Sequence, residues 1–145
     1  MPVTMKDVRA WLDADEVDYA NAKKLGPAAI PFLMELVQGG DLGLASKATY
    51  LASLIKSDQS ASVLETAAVR NEPVVRVAAA SGIRNLAEDQ AERVLDLLRS
   101  DPDAGIRKAA VKSAERFRSL QVAAKLQQMA EANPESFVRE LAQIP

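Results

Sequence analysis

The chain has 145 residues, a net charge of -2 and neither cysteine nor histidine, which excludes disulfides, thiolate nucleophiles, zinc–imidazole sites and a histidine general base. That length suits one domain with a continuous core. The apolar mass is mostly Ala, Leu and Val beside Trp11, Tyr19, Phe32, Tyr50, Phe117 and Phe137, and a core rich in the strong helix formers Ala and Leu favours close helix–helix packing over a sheet.

Met1 to Asp7 lacks the basic-then-apolar layout of a signal peptide. No apolar run approaches the roughly 20 residues needed to span a bilayer. The expectation is a soluble, cytoplasmic protein with no membrane partner. Thr4 is placed to cap a helix through Leu12, and Val17, Ala20 and Leu25 suggest another ending at Gly26. Residues 1–25 fit the later pattern poorly and read as a divergent N-terminal cap hairpin.

From residue 26 the apolar positions recur. Leu33, Leu64, Leu95 and Leu126 share one spacing, and Leu44, Val75 and Ile106, Ala48, Ala79 and Ala110, and Ile55, Leu86 and Phe117 share it too. Such self-similarity marks a repeat architecture. Each period carries two stripes of helical spacing. The first unit predicts a helix over 27–38, begun by Pro27 and bent at Pro31, then a Gly39-Gly40-Asp41 turn and a second helix bearing Leu44, Ala48, Leu51, Ala52 and Ile55. Later units repeat this at 59–70 and 74–87, at 89–99 and 103–118, and at 120–132 and 135–143, with breaks at Asn71-Glu72-Pro73, Asp101-Pro102-Asp103 and Asn133-Pro134. Each break sets a carboxylate where it can cap the second helix. One amphipathic hairpin cannot bury both stripes, so neighbours must stack. The predicted fold is all-α, an α–α superhelix of about four to five helical hairpins: a single domain over 1–145, with a cap at 1–25 and repeats at 26–57, 58–88, 89–118 and 119–145.

Glu72-Pro73-Val74-Val75-Arg76-Val77-Ala78-Ala79 and Asp101-Pro102-Asp103-Ala104-Gly105-Ile106-Arg107-Lys108-Ala109-Ala110 resemble the turn and second helix of HEAT repeats. The short period is similar to the HEAT-like, phycobilin-lyase type. The resemblance implies that Asp103, Arg76 and Arg107 hydrogen-bond between adjacent repeats. The first unit departs from it, with Ala45 where later units carry Arg. It implies a binding scaffold, since the family's enzymes are a minority.

Asp13, Asp15, Glu16 and Asp18 form the densest carboxylate cluster, but a helix start favours negative charge without any ion. Neither a Gly-x-Ser-x-Gly elbow nor a phosphate loop occurs. No cofactor and no metal site is expected, and the chain reads as a non-enzyme. On the non-core side of the second helices, Ser46, Val77 and Lys108 form one row across units, Tyr50, Ser81 and Lys112 another, and Ser53, Arg84 and Glu115 a third. In solenoids of this build the second helices usually line the concave side.

Residues 104–125 carry Arg107, Lys108, Lys112, Arg116, Arg118 and Lys125 against Glu115 alone, whereas the first 18 residues are acidic. The partner-binding candidates are therefore Tyr50, Val77, Ser81, Arg84, Lys108, Lys112 and Arg116, and the expected partner is another protein, through an acidic segment. The alternatives are a nucleic-acid-binding or DNA-glycosylase-like HEAT protein, and behind it a chromophore-lyase accessory. The net acidity and the lack of an aromatic cradle count against nucleic acid.

Overall fold

The computed structural model describes residues 2–117, which form eight α-helices and no strand. The fold is an all-α, short α–α solenoid. No helix among the described residues is long and apolar enough to cross a membrane.

Helix α1 (Met5–Leu12) opens with a capping box: Thr4 Oγ1 accepts the Asp7 N–H at 3.2 Å, while the Thr4 N–H reaches Asp7 Oδ2 at 2.9 Å. Val8 and Leu12, four residues apart, bury one face. α2 (Tyr19–Ala22) is a single turn capped by Asp18, prolonged as a 3-10 turn (Lys23–Leu25) and stopped at Gly26. Gly26 has φ of 73°, a left-handed conformation that residues with a Cβ rarely adopt.

Three helix pairs follow: α3 (Ile30–Gln38) with α4 (Leu42–Leu54), α5 (Ser60–Ala68) with α6 (Pro73–Gly82), and α7 (Glu88–Leu98) with α8 (Ala104–Ala114). First helices pack in the order α3, α5, α7, and second helices in the order α4, α6, α8. Between the two layers, Leu33, Leu64 and Leu95 lie at most 1% exposed, and Ala48, Ala79 and Ala110 are fully buried. The alanine column holds the second helices close. Gly82 brings one contact closer still, because a Cβ there would lie 2.8 Å from Ser53 Cβ and 2.9 Å from Leu64 Cδ2.

Three local details differ from the sequence expectation. The helix predicted from Pro27 starts as a 3-10 turn (Pro27–Ala29) and becomes α-helical only at Ile30. Pro31 has no N–H to give to the Pro27 carbonyl, so the Ile30 N–H takes that acceptor instead. The second helix of the next unit ends at Gly82 and tightens into a 3-10 turn (Ile83–Asn85) rather than running to 87. Finally, Asp41 and Asp103 cap α4 and α8 through their side chains, but Glu72 does not cap α6. Its longer side chain turns to Arg70 at 2.9 Å. The expected fourth unit, with Leu126, Lys125 and Phe137, lies outside the described residues, as does Arg118 at the end of the third.

Candidate protein-binding face

The most conspicuous sequence motif is architectural. Arg76 Nε donates to Asp101 Oδ2 at 2.8 Å in the following unit, and its Nη1 donates to the carbonyls of Arg70 and Asn71 in its own turn. Arg107 makes the corresponding bond to the Asp101 carbonyl at 2.7 Å. The acid of this ladder is Asp101, not Asp103. Asp103 is committed to capping α8, accepting the Gly105 and Ile106 N–H groups.

Where Ala45 replaces the ladder arginine, Arg70 supplies a guanidinium from the next unit, donating to the carbonyls of Val37 at 2.8 Å and Gly39 at 2.6 Å. Gly39, Arg70 and Asp101 occupy one repeat position, so each carbonyl of that column receives an arginine by one of two routes. A residue missing from one column and a reversed charge in the neighbouring one was the available signal.

The candidate residues fall into three settings. Val77 and Lys108 share a row and are exposed, as is Lys112; Ser81 and Tyr50 are half-buried. All of these sit on the side of α4, α6 and α8 opposite the alanine column. Tyr50 is engaged by the N-terminal cap, its ring meeting Tyr19 edge to face at 5.0 Å. Burial, and secondarily the neighbouring Tyr50, pushes the Tyr19 phenol above its ordinary value. The Glu72 carboxyl is held below its ordinary value, chiefly by its hydrogen bond from Arg70.

Arg84 extends the Val77–Ser81 stripe through the 3-10 turn, where residues three apart align. Its side chain is exposed, and its main-chain N–H is held by Ser113 Oγ at 2.8 Å. Ser53, in the same row as Arg84, is buried beneath Gly82 and serves the core.

Arg116 stands apart at the rim. Its guanidinium donates to the Leu86 carbonyl at 3.2 Å and lies 4.5 Å from the Phe117 ring centroid. There it borders a groove of about 470 Å³ between consecutive inter-unit loops, floored by Ile55 and Leu86 and edged by Lys56, Asp58 and Asp89.

One exposed residue was missing from the sequence rows. Val74 lies 49% exposed, one turn before Val77 at 38%. It opens the second helix predicted over 74–87 and falls in none of the three rows.

No group of three or more metal-ligating side chains converges among the described residues. Within the carboxylate cluster, Asp13 pairs with Arg9 and Asp18 caps α2. Ser60 and Ser46 donate to the main-chain carbonyls of Ile55 and Val74.

Residues 67–144 match the family of HEAT repeats, more than half of the chain. The chain belongs to the HEAT-repeat family. HEAT repeats generally mediate protein–protein interaction or scaffolding and are typically non-enzymatic. No curated protein matches the chain. In this HEAT-repeat chain the arginine ladder and the alanine column belong to the packing of the stack.

Proposed function

We propose that this HEAT-repeat chain is a non-enzymatic cytoplasmic scaffold that docks a partner protein on the free side of α4, α6 and α8, the concave side in arrays of this build. The proposal takes residues 1–145 as one domain and Val77, Ser81, Arg84, Lys108 and Lys112 as its contact residues, with Tyr50 at one edge and Arg116 at the rim. The observation that carries it is the exposed pair Val74 and Val77 at the centre of this layer. A β-branched residue gains nothing in a solvated helix, whereas two valines one turn apart offer apolar contact to a partner.

The test uses the whole chain as bait, in wild-type form and as Val77→Glu, beside Leu97→Glu on α7 as a control of the same charge. Proteins retained by wild type and by the control are expected to be lost from the face variant while its thermal melt is unchanged. Retention by the face variant would overturn the assignment.

A further inference from the structure

The repeat supplies an internal control for the exposed valines. One period away from Val74 stand Gly43 and Gly105, and one period from Val77 stand Ser46 and Lys108. The neighbouring units thus build the same second helix with glycine or a polar residue at these positions, and the fold does not require valine there. Gly43 and Gly105 leave the helix surface bare on either side of Val74: a Cβ at either would meet only the N-capping aspartate of its own helix. Val74 therefore forms a ridge between two shallow depressions.

Charge is sorted between the two layers. Helices α4, α6 and α8 contain no carboxylate at all, and carry Lys47, Arg76, Arg107, Lys108 and Lys112. Helices α3, α5 and α7 carry Glu35, Glu65, Glu88, Asp89, Glu92 and Asp96 against Arg93 alone. Some of the basic layer is committed to the stack. Arg76 bonds to Asp101 of the next unit, Arg107 holds the Asp101 carbonyl of its own turn, and Lys47 donates to the carbonyls of Leu12 and Ala14 at the end of α1. Arg84 and Lys112 remain exposed beside the valines, as does Lys108. Within its helices this face is basic, although Asp41, Glu72 and Asp103 stand at their N-termini and the chain as a whole is acidic.

From these observations we infer that the partner contributes an acidic segment with apolar side chains, which seats its apolar groups against Val74 and Val77 and its carboxylates against Arg84 and Lys112. The inference rests on the docking face proposed above and adds the chemistry of its occupant. Protein suits the face better than nucleic acid. An apolar ridge at the centre offers nothing to phosphates, and few cations are left to release counterions. Complementary charge steers the encounter and makes it sensitive to salt, while the valines supply the desolvated centre.

The experiment titrates the whole chain, at low and physiological salt, against labelled synthetic peptides of equal length. One combines Glu with Leu and Val, a second has Lys for each Glu, and a third has Ser for each Leu and Val. A DNA duplex is included. Only the first peptide should bind, more weakly as salt rises. Val77→Glu should lower its affinity by about tenfold or more, and Arg84→Glu with Lys112→Glu should do the same. Amide shifts should centre on 74–84 and 108–112.

Equal binding of the Lys or the Ser peptide, tighter binding of DNA, no binding by any peptide, or shifts confined to α5 and α7 would each overturn the inference. So would self-association of the chain that the peptide displaces. If a captured protein is lost on Val77→Glu yet unaffected by Arg84→Glu with Lys112→Glu, the face stands and the acidic occupant is refuted.

Discussion

Replacing Asp101 by alanine should destabilise the chain more than any single surface change on the proposed docking face. The Asp101 side chain is 4% exposed and that of Arg76 12%. Besides the 2.8 Å bond to Arg76 Nε, Asp101 holds Arg76 Nη2 at 3.4 Å and accepts the Asp103 N–H at 2.9 Å. Alanine removes all three and leaves a nearly buried guanidinium with only the two main-chain carbonyls on its Nη1.

Breaking a buried pair by deleting one partner costs about 3–5 kcal/mol. The retained carbonyls place this case near the lower end, about 3 kcal/mol, or a fall in Tm of roughly 12 °C for a domain of this size. Denaturant unfolding of the whole chain, in a cycle with Arg76→Ala, is the assay. A coupling above about 1 kcal/mol is expected between the two positions. A loss below about 1 kcal/mol for Asp101→Ala, or an additive cycle, would refute the ladder as a stabilising element.

Gly82→Ala should cost about 1–3 kcal/mol by overpacking, because its Cβ falls on Ser53 Cβ and Leu64 Cδ2; an unchanged denaturation midpoint would show that α6 can move away without penalty. Arg70→Asp should destabilise by removing the guanidinium from the Val37 and Gly39 carbonyls. Adding Ala45→Arg should recover about 1–2 kcal/mol by recreating the Arg76–Asp101 arrangement one unit earlier, and a double variant less stable than Arg70→Asp would refute the equivalence of the two routes. Tyr19 ionises above the ordinary tyrosine value in the folded chain, so its contribution to stability is full below the unfolded value near 10 and is lost as pH rises through the folded one. Phenolate absorbance should show this delay persisting in Tyr50→Phe, since burial is its main cause.

The period carried most of the fold. Leu33, Leu64 and Leu95 lie in the core because one column of leucines at constant spacing can face only one interior. The capping residues Thr4, Asp41 and Asp103 were legible for the same local reason, that a short oxygen-bearing side chain at a helix start meets free N–H groups. Glu72 failed to cap because its partner was decided by a residue outside the helix, Arg70. The ladder's acid was misassigned between Asp101 and Asp103 because both lie in one turn, and only three-dimensional geometry separates cap from ion pair.

The proposed face was partly legible. Rows of equivalent residues led to Val77, Lys108 and Lys112, but Val74, the first residue of the predicted helix over 74–87, fell outside every row, and Ser53 was placed in an outer row although Gly82 covers it. The charge asymmetry was read along the chain, from an acidic start to a basic end. The helix boundaries re-sort it into two layers, which a linear window spanning both helices of a pair averages away.

Photo-crosslinking from single probes at Val77 and at Leu97, in the whole chain bound to its captured partner, tests the docking face most directly. Both side chains are exposed to a similar degree and sit on opposite layers. The proposed face predicts a cross-link to the partner from position 77 and none from position 97. A cross-link from position 97 alone would place the partner on the acidic first-helix layer and contradict it.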